Sequence, residues 1–349
     1  MPFSNRYLIT LFSSITRAGL NFYVSIQVAN YFLPELYGDY QYILTLGTAM
    51  LLLLNVGSEN AFYTFISEKK QHFKFYLTYF IWQFSQLAIL LIALIFLSEN
   101  AYYFLFKGAD LSFLVSALIA IFFLATIQNS LNHVLESIRQ TKISQVLTVA
   151  IAVLHCALSL IFIHLGKLDP KILFQIIMGE YILYSIIVVA IFRFGKFQLF
   201  SDEPFNLLQT IQLFWSYCKP LVLLAFAAAL YTIADRWLIQ TYVGSSGQAY
   251  FAISMQFSAI SMLLASSLSS IFRKEISESL STGNLVKARL YCQVVSRNIF
   301  LLTAMISTIL FVYSAEVLLF LYGESYQGAS TVFKLIMLLP ITQAVGTVY

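Results

Sequence analysis

Residues 143–165 read ISQVLTVAIAVLHCALSLIFIHL and contain no Asp, Glu, Lys or Arg. A bilayer core takes roughly 20 apolar residues of helix, so this stretch is long and apolar enough to cross one. Runs of the same kind cover Tyr7–Phe32, Tyr40–Ser67, Phe75–Leu97, Leu111–Leu135, Ile172–Phe194, Tyr217–Val243, Gln248–Phe272, Tyr291–Ser314 and Thr331–Tyr349. With Ile143–Leu165 they make ten expected transmembrane helices, the tenth reaching the end of the chain. Composition agrees. Of 349 residues, 60% are hydrophobic and 10% charged, and mean hydropathy is +0.81. Soluble domains carry about 25% charged residues. The balance excludes a soluble enzyme, a nucleic-acid-binding domain and a disordered segment. The 32 Phe and 22 Tyr suit lipid-facing and interfacial positions. The expected fold class is an all-α polytopic membrane protein.

The first run is not read as a cleaved leader. It is too long, carries Arg17 in its middle and lacks a small-x-small cleavage site. Orientation follows from Lys and Arg in the connections. Arg6, Lys69, Lys70, Lys74, Arg139, Lys142, Arg193, Lys196, Lys219, Arg273, Lys274, Lys287 and Arg289 fall on one side, and Lys107, Lys167 and Lys171 on the other. The bias of thirteen to three places the N-terminus in the cytoplasm.

The longest connection is Arg193–Ser216, with Asp202, Glu203 and Pro204. It divides the chain into an expected six-helix bundle (1–200), a cytoplasmic linker (201–216) and a second bundle (217–349). The halves look related. Tyr40 and its span run to Ile66-Ser67-Glu68, and Tyr250 and its span run to Ile276-Ser277-Glu278, each 210 residues further on. That offset sets Tyr349 opposite Arg139, after the fourth span of the first half. A second half of six helices would end near residue ~405, so the second bundle reads as truncated, with about four of six helices. Internal repeats with a site between the halves characterise transporter folds.

Ionisable side chains inside spans are costly, about 2.5–3.5 kcal/mol at a helix centre on insertion scales. The first helix carries Ser13, Arg17, Asn21 and Ser25 at i, i+4, i+8 and i+12, which is one helical face. Arg17 lies about ten residues, or about 15 Å, from the cytoplasmic end, which is far for one side chain to snorkel. A cavity wall is the reading preferred here. The seventh helix carries Asp235-Arg236 with Tyr231, Thr232 and Gln240. Arg236 aligns with Thr232 and Gln240, and Asp235 with Tyr231. The pair reads either as an anion contact beside an ion-responsive carboxylate or as an inter-helix salt bridge. Glu59 lies among Asn55, Gly57, Ser58 and Asn60, and Glu180 beside Gly179 and Tyr181. Each is a protonatable coupling site or a neutral acid at a helix contact. Glu59 leans to coupling and Glu180 to structure.

His133 belongs to a polar helix end with Gln128, Asn129 and Asn132. His155 and His164 lie in the fifth helix at a spacing that makes no metal pair. Such histidines read as helix-packing hydrogen bonders. Cys156, Cys218 and Cys292 form no CxxC motif and read as small hydrophobes. There is no GxSxG, HExxH, P-loop or dinucleotide fingerprint. No catalytic residue, cofactor or metal is expected, and no ATPase activity.

Three stretches together resemble the polysaccharide-transporter family, the O-antigen flippase branch of the superfamily that includes the MATE exporters. They are Leu33-Pro34-Glu35-Leu36-Tyr37-Gly38-Asp39-Tyr40; Asp235-Arg236-Trp237-Leu238-Ile239 with Gly244, Gly247 and Tyr250; and Leu321-Tyr322-Gly323-Glu324-Ser325-Tyr326. The resemblance implies two six-helix bundles forming a V around a cavity in the bacterial cytoplasmic membrane. It implies movement of an oligosaccharide linked to undecaprenyl pyrophosphate between leaflets, for surface polysaccharide and lipopolysaccharide synthesis. Its implied partners are this substrate, membrane lipids, H⁺ or Na⁺, and a polysaccharide polymerase complex, with no nucleic acid. The substrate cavity would be lined by Arg17, Asn21, Tyr231, Asp235, Arg236 and Gln240, and Asp235 and Glu59 would couple an ion. Arginine suits pyrophosphate because its planar fork pairs with phosphate oxygens. An ion-coupled small-molecule exporter of the MATE type, a membrane polysaccharide polymerase and a non-transporting membrane subunit are the alternatives.

Overall fold

The computed structural model describes residues 3–68, 71–194, 205–262 and 285–346. Helix dominates throughout, and no extended strand occurs among the described residues.

The first element, α1 (Phe3–Asn55), has 53 residues. Straight, it would run about 80 Å, far beyond a bilayer. It breaks at Leu33, whose φ of 61° and ψ of 170° leave the helical region, and Pro34 follows. Proline has no N–H to donate to the preceding turn, so a helix ends and another starts there. These are the first and second expected spans. The second breaks again at Val56 and Gly57, both with positive φ, before α2 (Ser58–Glu68). The two parts are bent by 57°. A β-branched valine with positive φ is strained, and Gly57 beside it carries the left-handed turn without a Cβ penalty.

The next spans follow the apolar runs closely. They are α3 (Phe73–Phe96), then α5 (Leu111–Ile121) continuing through a π-helical turn (Phe122–Ile127) into α6 (Gln128–Ser137), then α7 (Thr141–His164) and α8 (Pro170–Phe194). A short helix, α4 (Glu99–Phe106), lies between α3 and α5. Side-chain caps mark the starts. Ser98 accepts from Ala101 N, Asp110 from Phe113 N, and Asp169 from Ile172 N.

Part of the expected linker is helical. Residues 207–216 are helical, within α9 (Leu207–Cys218), capped by Asn206, which accepts from Leu208 N and Gln209 N. A 3₁₀ turn joins α9 to α10 (Val222–Tyr242), giving one apolar stretch of 36 residues. Phe214, Tyr217 and Cys218 explain the helix, because they pack on a buried aromatic cluster of Phe62, Phe65, Phe75 and Tyr79. Phe62 stacks on Tyr79 at 3.8 Å between ring centroids.

Residues 245–262 form α11, and the rest of the eighth expected span lies outside the described residues. The repeat marker Ile276-Ser277-Glu278 lies there too. The ninth expected span is α12 (Leu285–Val312), bent by 74° into α13 (Ser314–Tyr322). The tenth is two short helices, α14 (Ser330–Ile336) and α15 (Leu339–Gly346), rather than one. Among the described residues, five helices are long and apolar enough to cross a membrane, and seven if each bent pair counts as one.

The chain groups into two units, one comprising Met1–Val28 with Tyr40–Tyr242, the other Ala29–Asp39 with Val243–Tyr349. In the second unit the segment around the Leu33 break is held by side chains. Gln256 donates to the Tyr37 hydroxyl at 2.9 Å, the Tyr326 hydroxyl to Ala29 O at 2.8 Å, Asn30 to Leu321 O at 2.9 Å and Ser246 to Glu35 at 2.9 Å. Tyr37, Tyr322 and Tyr326 are buried there. Gly38 has no alternative, since a Cβ would stand 1.7 Å from the Ser245 carbonyl oxygen.

Candidate functional site

Two glutamates inside the spans of the first unit each meet an imidazole. Asn55 ends the second half of α1, and its side chain bridges the break below it. Its Oδ1 accepts from the Ser58 hydroxyl at 2.5 Å and from Glu59 N at 3.2 Å, and its Nδ2 donates to Glu59 Oε2 at 3.4 Å. Glu59 sits in the first turn of α2, where free backbone N–H groups favour a carboxylate. Its other oxygen, Oε1, meets His133 Nε2 of α6 at 3.2 Å. Tyr63, one turn on, lies over the imidazole at 4.4 Å. Glu59 is thus a well-held carboxylate at a helix break, with side-chain exposure of 21% against 24% for His133.

Glu180 on α8 makes a second pair, with His155 Nδ1 of α7 at 2.9 Å from its Oε2. Its surroundings differ. The Glu180 side chain is 1% exposed and His155 19%, and Glu180 Oε1 is buried with no hydrogen-bond partner among the described residues. Between the pairs, Asn132 ties α6 to both neighbours, accepting from Ser144 at 2.9 Å and from the Tyr184 hydroxyl at 2.5 Å.

Arg17 is half-buried on α1. It acts electrostatically on Tyr181, the neighbour of Glu180, and Glu180 acts on the same hydroxyl. No carboxylate pairs with Arg17 among the described residues. Asn21, one turn further along α1, is exposed. On α10, Asp235 and Arg236 are half-buried and interact electrostatically. Gln240 is half-buried and Tyr231 is exposed. Trp237 fixes this helix to the connection between α3 and α5. Its indole N–H donates to Phe104 O at 2.8 Å, and Lys107 Nζ stands 4.9 Å from its ring, within cation–π range.

The structure therefore joins Asp235 with Arg236 and sets Arg17 within electrostatic reach of Tyr181, while Glu59 belongs to its own cluster. Sequence reasoning missed both imidazole partners. The partners lie 74 and 25 residues apart in sequence, so no local pattern points to them. The available signal was the count, two mid-span Glu and two mid-span His in one half, each needing a partner in a low-dielectric layer. Among the described residues no group of three or more His, Cys, Asp or Glu could hold a metal. Cys156 and Cys218 are free thiols.

No protein-family model matches the chain. No curated protein matches it. Solved structures do. A multidrug resistance MATE family transporter of the MOP superfamily in an inward-facing conformation aligns with TM-score 0.65 and 14% identity, over 95% of this chain and 81% of that one. The MATE multidrug transporter DinF-BH, in complex with R6G, aligns with TM-score 0.62 and 13% identity, over 98% and 82%. A MOP superfamily transporter from Pyrococcus furiosus, described as having a binding pocket of reverse polarity, aligns with TM-score 0.61 and 14% identity, over 98% and 78%. The fold is similar to that of MATE/MOP superfamily transporters.

Proposed function

We propose that this chain moves an anionic lipid-linked oligosaccharide, of the undecaprenyl pyrophosphate type, across the bacterial cytoplasmic membrane by alternating access, for surface polysaccharide synthesis. The observation that carries this reading is the state of the charges. Arg17 is a half-buried guanidinium with no carboxylate partner among the described residues. The two mid-span glutamates each have an imidazole partner. A site built for cations would present free carboxylates; this one presents a free cation to an anion. A pyrophosphate entering a low-dielectric layer needs such a partner to offset its lost hydration. In this reading Arg17, Asn21, Tyr231, Asp235, Arg236 and Gln240 line the cavity, and Asp235 and Glu59 answer the coupling ion. The two repeat halves, 1–200 and 217–349, are the moving bodies, with 201–216 between them and the N-terminus in the cytoplasm. A polysaccharide polymerase is the partner that consumes the translocated glycan.

The second reading is an ion-coupled exporter of small cations. Its support is Glu59, a carboxylate at a helix break with partial exposure, together with the multidrug transporters among the solved structures of similar fold.

Complementation of a bacterial strain lacking its polysaccharide flippase tests the first reading. The expected result is surface glycan restored by the chain and lost in Arg17→Ala and Arg236→Ala at equal protein levels. Export of cationic dyes, with no glycan restored in any background, would transfer the assignment to the exporter.

A further inference from the structure

The stretches that carry the resemblance are absorbed by no step of that reading, and the structure brings parts of them together. Residues Ala29–Asp39, the connection between the first two spans, group with the second unit, while Val28 before them and Tyr40 after them belong to the first. The chain leaves one unit for this segment and then returns to it. What holds the segment differs along its length. Asn30 donates to Leu321 O, and the carboxylates of Glu35 and Asp39 accept from the hydroxyls of Ser246 and Ser245, at the start of α11. Asn30, Glu35 and Asp39 are all exposed, and hydrogen bonds at exposed groups are exchanged for water at little cost. Tyr37 is held otherwise. It is 1% exposed, its hydroxyl accepts from Gln256, and Gly38 beside it meets the Ser245 carbonyl. A fully buried aromatic ring is the larger part of such an attachment.

The attachment has a cost in the backbone. Leu33 has a φ of 61° and a ψ of 170°, and Pro34 follows it. A residue before proline prefers an extended ψ with φ of about −120°. At this positive φ only glycine is at ease, and a leucine there is strained. Such strain persists only where surrounding contacts hold it. The Leu33 side chain is also left 51% exposed, so its own packing repays little of the cost. The docked segment is therefore loaded. Rotation about one bond at Leu33 relieves the strain and re-aims the residues that follow, Tyr37 among them.

We propose that Ala29–Asp39 is a spring-loaded latch on the second unit. Tyr37 is its bolt, Leu33 is its spring, and withdrawal of Tyr37 is a step of the transport cycle. The inference rests on the alternating-access reading above and holds for either substrate class. In the orientation proposed there, the latch lies on the outer side of the membrane. It gives a task to the stretch from Leu33 to Tyr40, and to the segments around Ser246 and Leu321 that receive it.

Electron paramagnetic resonance tests the latch without a substrate. Spin labels are placed through Leu36→Cys and Glu324→Cys, both exposed positions, in the full chain with Cys156, Cys218 and Cys292 replaced by Ser, in lipid nanodiscs. Two distance populations are expected, a short docked one and a longer released one. Leu33→Gly removes the strain and lowers the released share about 5-fold. Tyr37→Ala removes the bolt and raises that share. Where the released share of the parent chain is too small to read, Leu33→Gly is compared within the Tyr37→Ala background. Where Tyr37→Ala does not fold, Glu35→Ala with Asp39→Ala takes its place, with the same rise expected. A single short distance in the parent chain and in the bolt variant overturns the proposal. So does a released share that Leu33→Gly raises or leaves unchanged. The part of the latch in transport is read by complementation. Glu35→Cys with Ser246→Cys, joined by a disulfide or a short thiosulfonate link, fixes the segment. Surface glycan is expected to be lost with the link in place and regained on reduction. Glycan at the wild-type level with the link intact would remove the latch from the cycle. If wild type restores no glycan, the flippase reading falls, and the distances alone decide the latch.

Discussion

Glu59 with His133 and Glu180 with His155 are the same two side chains in two settings. Glu59 stands at a helix N-terminus, exposed at 21%, and its two oxygens meet His133 and Asn55. Glu180 stands inside a helix, exposed at 1%, with one oxygen bonded and the other bare. The first is held by redundancy, so losing one partner leaves another. The second depends on a single imidazole, so losing it leaves the carboxylate with no side-chain partner among the described residues. Chemical identity of a pair says little about its role; the number of remaining partners and the access of water say more.

Stability measurements can break this contrast. His155→Phe strands Glu180, and a loss of about 3 kcal/mol is expected in unfolding of the detergent-solubilised chain. His133→Phe leaves Glu59 its Asn55 contact and is expected to cost about 1 kcal/mol. Equal losses would show that the two settings do not differ as argued. Asn132→Ala removes the acceptor shared by Ser144 and Tyr184. It should cost about 1–2 kcal/mol in the same measurement and loosen α6 from α7 and α8.

The glycines next to the two glutamates sharpen it further. Gly57 has a φ of 77°, and a Cβ there would lie 2.7 Å from Leu221 Cδ1. Gly57→Ala should destabilise by about 1 kcal/mol. Gly179 is helical with nothing within 4 Å of an added Cβ. Gly179→Ala should stabilise by about 0.5 kcal/mol. The same substitution thus has opposite sign beside Glu59 and beside Glu180, and thermal melting of both variants reads it. The smallest effect lies outside the spans. Asp110 caps α5, and the Ser112 hydroxyl bonded to it, followed by Phe113 N–H, holds its carboxyl below the usual carboxylate range. A depressed carboxylate contributes stability above its unfolded value of about 3.9, and that contribution fades as pH falls below it. Asp110→Asn should flatten this acid limb and leave the neutral-pH melting temperature nearly unchanged.

Much of the fold was legible because hydropathy is written along the chain. The boundaries of Phe75–Leu97, Ile143–Leu165 and Ile172–Phe194 fall within a few residues of α3, α7 and α8. Breaks were less legible. Leu33 announces itself through Pro34, but the turn at Val56–Gly57 interrupts a run whose hydropathy carries on. Residues 207–216 read as part of a linker because they close the longest connection, which carries Asp202, Glu203 and Pro204. The aromatic cluster that makes them a packed helix comes from α2 and α3, more than a hundred residues earlier.

Parts of the stretches that carried the resemblance illustrate the same division. Residues around Tyr37, Tyr250 and Tyr326 are far apart in sequence, yet they meet in one unit, where Tyr250 and Tyr326 rings lie 6.2 Å apart and Gly38 lets a backbone approach. Their shared position at helix ends was visible in the sequence, and their mutual contact was not.

The sequence by itself determined that this is a polytopic helical membrane protein, and which of its residues are too polar to face lipid. Those facts depend on transfer free energies, which sum residue by residue along the chain. Only the tertiary structure decided that Glu59 belongs to His133, that Glu180 belongs to His155, and that Arg17 keeps no carboxylate among the described residues. Those pairings depend on how each helix is rotated about its axis and which neighbour it meets. Packing between helices sets that rotation, and it leaves no mark on hydropathy.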